Sequence, residues 1–201
     1  MTLRLNSTGG GYVEADAPNI AGNYSLTLPT ADGSAGQVLA TNGAGALSFV
    51  NAITEVDQWY VNANQTSDGI VTNWSRNSFT GATQIGTGMS HASGVFTFPS
   101  TGKWFVFFTA NFSIQGNDSC SLILQVTTDN STYTAVSYAT DGNGGTNTRN
   151  AGSSNCYFLD VTDISLVKLR FDADSLGTNS SLSGNPSSVR TSATFVRLGD
   201  T

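Results

Sequence analysis

Between Gly94 and Phe112 the chain reads GVFTFPSTGKWFVFFTANF, two apolar arms about a Pro-Ser-Thr-Gly turn. The second arm puts Trp104, Val106, Phe108, Ala110 and Phe112 on one parity, because alternate side chains of a strand point the same way. The other parity is expected to be wet, yet it holds Phe105 and Phe107. The pattern predicts a β-hairpin whose second strand is apolar on both faces. In SLILQV, Cys120, Leu122, Leu124 and Val126 oppose Ser121 and Gln125, and in LVKLRF, Val167, Leu169 and Phe171 oppose Lys168 and Arg170; both read as half-buried strands. NCYFLDV sets Tyr157, Leu159 and Val161 against Cys156 and Phe158, and ATFVRL sets Phe195 against Val196 and Leu198, so these runs are again apolar on both sides.

Turn-rich segments separate the runs, notably DGNGGTNTRNAGSS and DADSLGTNSSLSGNPSS, which read as long polar loops. Seven or more short strands with regular turn signals, and no helical period, predict an all-β sandwich or jelly-roll head over residues 58–201. Residues 51–57 (NAITEVD) read as a junction. Residues 1–50 hold only short candidates, GYVEADAP, NYSLTLPT, GQVLAT and ALSFV, with Pro18 and Pro29 closing two of them. This β-rich stalk or anchor segment is too sparsely apolar for a core of its own and is expected to rely on neighbours, either identical chains or a docking surface.

A two-faced sheet in a monomer leaves aromatic rings in water, each forgoing about 1.5–3 kcal/mol of burial. The long loops are mostly Ser, Thr, Asn and Gly and offer little to cover it. The expectation is a homo-oligomer with an interface on Phe105, Phe107, Tyr157 and Phe195.

Composition supports the β reading: Glu occurs only at 14 and 55 and Lys only at 103 and 168, so strong helix formers are scarce. Charged residues are 11% of the chain and the formal net charge is −6, which argues against nucleic acid or an anionic membrane surface as partner. No stretch approaches the roughly 20 apolar residues of a membrane span, and MTLRLNSTGGG has no continuous apolar run. Synthesis in the cytoplasm is expected, with Cys120 and Cys156 as free thiols buried in strand-like runs and a disulfide between them as the alternative.

Catalytic chemistry finds no foothold. The one histidine, His91, neighbours Ser90 in GMSHASG; adjacent residues do not make a triad, and a loop or strand-edge position is expected. Two distant cysteines and one histidine do not reach a zinc ligand set. Asp141, Asn143 and Asn147, or Asp172 and Asp174, are too few for a hard cation that takes about six oxygens or more. No catalytic residue, metal or cofactor is assigned. Trp59, Tyr60 and Trp74 lie near polar loops and are the candidates for stacking on a glycan, packing at the sandwich edge being the alternative.

Two resemblances follow from these residues. Gly94, Phe96, Phe98, Pro99, Gly102 and Trp104, with the terminal strand Ala193–Leu198, resemble the globular heads of the complement and tumour necrosis factor superfamily. That resemblance implies a ten-stranded TNF-like jelly roll packed as a homotrimer about one sheet. The stretch from Gly9 to Val50, with Leu-Thr-Leu-Pro followed by Gly-Gln-Val-Leu-x-Thr-x-Gly-x-Gly-x-Leu-x-Phe, resembles modules that precede knob domains in phage fibres. It implies a virion component of a tailed phage, made in the host cytoplasm. As a short fibre or capsid decoration it contacts other virion proteins through residues 1–50. A receptor-binding tail-fibre tip recognising a host cell-surface glycan is the alternative. Fifty extended residues reach at most roughly 170 Å, so the projection is short.

Overall fold

Among the described residues of the first fifty, the strands pair in short two-stranded ribbons. In the computed structural model residues 3–6, 8–15 and 25–201 are described. Pro18 and the Asn23 end of the NYSLTLPT run lie outside them. The chain divides into two units, Met1–Ala52 and Ile53–Thr201. In the first, β1 (Leu3–Asn6) pairs antiparallel with β2 (Tyr12–Ala15), and β3 (Gln37–Thr41) with β4 (Leu47–Asn51). The β3–β4 turn is set by Asn42, whose Oδ1 accepts the N–H groups of Ala44 at 2.9 Å and Ala46 at 3.1 Å. Gly43 and Gly45 take φ of +78° and +88°, values that glycine adopts without strain. Leu39 faces Phe49 and Val38 faces Val50, so this ribbon carries apolar pairs on both faces. A two-stranded ribbon buries neither.

The second unit begins β5 at Val56, inside the stretch read as a junction, because Val56 registers with Val196 and exchanges two backbone hydrogen bonds with Ile85. Its strands are β5 (Val56–Val61), β6 (Gly69–Ile70), β7 (Trp74–Arg76), β8 (Ser90–Ala92), β9 (Val95–Thr97), β10 (Gly102–Ile114), β11 (Asn117–Thr127), β12 (Thr134–Gly144), β13 (Arg149–Val161), β14 (Lys168–Asp174), β15 (Ser181–Leu182) and β16 (Ser192–Gly199). They form two antiparallel six-stranded sheets. One runs β13-β10-β16-β5-β7 with β15 on β10; the other runs β12-β11-β14-β9-β8 with β6 on β14. This is the all-β jelly-roll sandwich that the alternation predicts, with twelve strands rather than the ten of the resemblance.

The opening stretch folds differently from the hairpin expected of it. β9 belongs to one sheet and β10 to the other, so Pro99–Thr101 carries the chain across the sandwich. The cause is burial: Phe96, Phe98 and Trp104 all point into the core, and Phe98 packs on Trp104 with ring centres 5.0 Å apart. The true hairpin lies just before it, where His91 registers with Phe96 across a Ser93-Gly94 turn. Both turn residues have positive φ, 49° and 87°, as a two-residue loop matched to strand twist requires.

Polar sequence also misled about length. Asp141–Gly144 and Arg149–Ser154 continue β12 and β13 instead of looping, because Asn143 pairs with Asp118 in β11 and Gly152 with Asn111 in β10. A preformed neighbouring strand satisfies the backbone whatever the local propensity. Residues 175–191 loop between β14 and β16 apart from the two-residue β15, yet Leu176 and Leu182 reach the core and Ser180 and Thr191 are fully buried.

At the centre of the core sits Phe96. Rings of Trp59, Trp74, His91, Phe171 and Phe195 surround it, with centroids 4.7–6.0 Å away. Those partners come from both sheets, so this side chain ties one layer to the other. Truncation, Phe96→Ala, is expected to cost about 3–5 kcal/mol. A urea or guanidinium titration reads this as a lowered midpoint at unchanged slope.

Candidate functional site: an exposed aromatic face

The register of β10 decides which rings meet solvent. Trp104, Val106 and Phe108 point into the sandwich, so Phe105 and Phe107 point out. Phe105 pairs with Phe158 on β13 and with Val196 on β16; Phe107 pairs with Cys156 and Thr194. Directly opposed residues share a face. The outer surface of the β13-β10-β16 half-sheet therefore carries Phe158, Phe105 and Val196 in one row and Cys156, Phe107 and Thr194 in the next. Phe105 and Phe158 touch with ring centres 5.0 Å apart. Phe107 is 41% exposed and Phe158 66%, the larger share for any phenylalanine among the described residues.

Polar groups frame this face. Thr194 Oγ1 accepts from Gln58 Nε2 at 3.1 Å, and Gln58 Oε1 accepts from Asn77 Nδ2 at 2.6 Å. Lys103 pairs with Asp160 at the opposite side, both partly exposed, a contact worth at most about 1 kcal/mol. Beside that pair, Trp104, Phe158 and Leu159 line a shallow pocket of about 350 Å³. Farther along the sheet the protein covers its own surface: Tyr60 is buried under Phe79, with ring centres 4.9 Å apart. The 77–89 segment that supplies this cover is pinned at its end. Glu55 accepts the N–H groups of Thr87 at 3.2 Å and Gly88 at 2.8 Å. Asp57, 2% exposed, accepts from Met89 N and Trp59 Nε1 at 2.8 Å each and lies 3.2 Å from Arg76 Nε. Loop cover is thus real for one half of the sheet and absent over the phenyl rows.

Two of the four residues assigned to the interface from sequence stand elsewhere. Phe195 is wholly buried against Phe96, because it registers with the inward Val106. Tyr157 also registers with Val106 and packs on the core, leaving the outward place on β13 to Phe158. Phe158 and Val196 hold the opposite parity of their strands. Choosing between parities needed the pairing with β10.

The glycan-stacking candidates are likewise spent inside. Trp74 is buried against Phe96 and Phe171, and Tyr60 beneath Phe79. Trp59 is half-buried, with its Nε1 donated to Asp57 and the Arg76 guanidinium over its ring. None of the three offers a free face for a sugar. The packing alternative describes them.

Both thiols are free, but only Cys120 is buried. Burial, with the nearby Asp118 charge, pushes Cys120 up to about 11, so it stays protonated. Cys156 is exposed beside Phe107, contrary to expectation, since β13 turns its even positions outward here. His91 lies on strand β8 between Trp59 and Phe96, and its Nε2 is buried without a partner. Asp141 is engaged by Arg149, and Asn143 donates to the backbone carbonyls of Ile114 and Asn147.

No family model and no curated protein matches the sequence. Among solved structures the chain is similar to murine APRIL at pH 8.0, with a TM-score of 0.53, 11% identity, and 72% of this chain and 98% of that chain covered. Murine APRIL at pH 5.0 gives a TM-score of 0.52 at 12% identity, again over 72% and 98%. Eiger TNF from S. frugiperda gives 0.50 at 16% identity, over 73% of this chain and 93% of that one. These likenesses establish a TNF-like jelly-roll fold.

Burial lowers the His91 pKa below its ordinary 6.5, so the unfolded chain takes up the proton first. The stability held by neutral His91 is complete above pH 6.5 and is lost as pH falls from there toward the lowered folded value. Denaturant midpoints are expected to drop between pH 7 and pH 5, with a smaller drop in His91→Phe.

Proposed function

We propose that this chain is a non-enzymatic structural protein that assembles as a homotrimer through the Phe105, Phe107 and Phe158 face of its head. Its role is that of a short fibre or capsid decoration of a tailed-phage virion, displaying the head as an adhesive module and contacting other virion proteins through residues 1–50. The phenyl face carries the proposal. It is contiguous, left bare by the loop that covers the neighbouring half of the same sheet, and bordered by little charge. Phenyl groups carry no charge, so copies of the same face meet there without like-charge repulsion.

Magnitudes bear on the count of subunits. If each of the three rings has about 1 kcal/mol left to gain, covering both partners' ladders yields on the order of 6 kcal/mol. Association costs about 4–15 kcal/mol, so a lone pair of faces is marginal, whereas three copies of the face converging on a three-fold axis cover one another's rings together. The TNF-like fold, which commonly forms trimers, supports three. The likeness of Gly9–Val50 to phage-fibre modules supports the virion role.

Light scattering on size-fractionated full-length protein is expected to give three times the chain mass. Phe107→Asp, placing a charge at the centre of the face, is expected to lower that mass to one chain while circular dichroism stays β-rich. Cys156 supplies an independent reading, because it is exposed on the same face beside Phe107. Reaction with a thiol reagent is expected to be slow in wild type and at least tenfold faster in Phe107→Asp. A wild-type chain that runs as a folded monomer at micromolar concentration overturns the proposal.

A further inference from the structure

The end of the sandwich away from the start of β5 and the finish of β16 carries a second feature. After β5 the chain folds residues 62–68 over this end and meets the 175–191 loop there. Gln65 and Leu182 exchange backbone hydrogen bonds of 3.0 and 2.9 Å. Gly184 N donates to Asn64 Oδ1 at 3.0 Å, and Leu176 N to Asp68 Oδ1 at 2.7 Å. Gln65 Nε2 folds back onto the carbonyls of Ser67 and Gly69 at 3.0 and 2.9 Å. Because Leu176 and Leu182 are rooted in the core, this loop pair is held by the sandwich itself. Gly184 has no room for a side chain, as a Cβ there would run into the backbone of Ala63.

Residues 64–73, held in place by these bonds to the 175–191 loop, form an open cleft of about 450 Å³ lined by Asn64, Gln65, Thr66, Asp68, Thr72 and Asn73 together with Ser67, Gly69 and Ile70. Its chemistry is uniform. Amides and hydroxyls dominate, Asp68 is the one ionisable group, and no cation or aromatic ring is present in the lining. Asn73 Nδ2 donates to Ala63 O, whereas its Oδ1 is shielded from solvent and has no donor among the described residues. A buried acceptor left unmet is uncommon and marks a place where a donor is wanted.

We infer that this cleft binds a neutral, polyhydroxylated ligand, a short segment of glycan, through hydrogen bonds to fixed amides and hydroxyls. An anion is disfavoured by Asp68 and the absence of a cation; an apolar ligand finds only Ile70. Sugar hydroxyls both donate and accept, which matches a lining of Asn, Gln, Thr and Ser. Without a ring for stacking, each cleft binds weakly, on the order of millimolar, and useful adhesion needs several copies at once. The cleft is built within one chain, so this inference stands apart from the oligomer proposed above, which only multiplies it.

Amide chemical shifts of isotope-labelled full-length protein are to be followed while maltotriose, mannotriose and triacetylchitotriose are each added to about 10 mM, with a neutral tetrapeptide as the control. At least one saccharide is expected to move a cluster of amides within 64–73. The exposed pair Thr66→Leu and Thr72→Leu, which removes no hydrogen bond of the loop frame, is expected to weaken that binding at least tenfold at unchanged melting temperature. Asn73→Leu is expected to weaken it also. Silence toward all three saccharides, shifts centred elsewhere, equal binding of the tetrapeptide, or full binding by the double variant each overturns the inference. Monovalent probes leave the outcome independent of whether the protein is a trimer.

Discussion

Two sheets of this head are held together by a ring cluster that each contributes to and neither completes alone. Phe96, from the β8–β9 hairpin, is enclosed by Trp59, Trp74 and Phe195 of the facing sheet and by His91 and Phe171 of its own. Once those rings are committed inward, the parity of every attached strand is fixed, since side chains alternate. Inward Trp104 and Val106 force Phe105 and Phe107 outward; inward Leu159 forces Phe158 outward. The exposed aromatic face is therefore a consequence of the core and not a separate feature laid over it.

The same constraint explains how the sheet divides its outer surface. On the β5–β7 side, the buried Asp57 and the Glu55 carboxylate anchor the 77–89 segment, and that segment brings Phe79 over Tyr60. A buried carboxylate is tolerated because Met89 N–H, the Trp59 indole and the Arg76 guanidinium converge on it. On the β13-β10-β16 side no such anchor exists among the described residues. One half is sealed by the chain itself, and the other presents phenyl groups to solvent.

At the far end, the long Ser- and Asn-rich loop earns its order from two leucines. Leu176 and Leu182 dip into the core and carry with them a frame of backbone and amide hydrogen bonds. Pre-organised polar groups lose little freedom when a ligand arrives, which is what separates an ordered amide cleft from a solvated loop. The aromatic face and the amide-lined cleft thus occupy different regions of one small sandwich.

Alternation in SLILQV, LVKLRF and GKWFVFFTANF, together with scarce helix formers, was enough to establish an all-β head and to show that one strand is apolar on both sides, because the two-residue period is local. Phe105 and Phe107 were legible for that reason. Sequence alone could not show which parity of NCYFLDV and ATFVRL faces outward, since both parities are apolar and only registration with Val106 separates Tyr157 from Phe158 and Phe195 from Val196. Nor could it show that the Pro99 turn crosses between sheets, that polar Asp141–Gly144 and Arg149–Ser154 are strand, or that Trp74 and Tyr60 are consumed in packing. Those outcomes depend on partners far away in the chain, whose hydrogen bonds and buried area outweigh what any short window of residues prefers for itself.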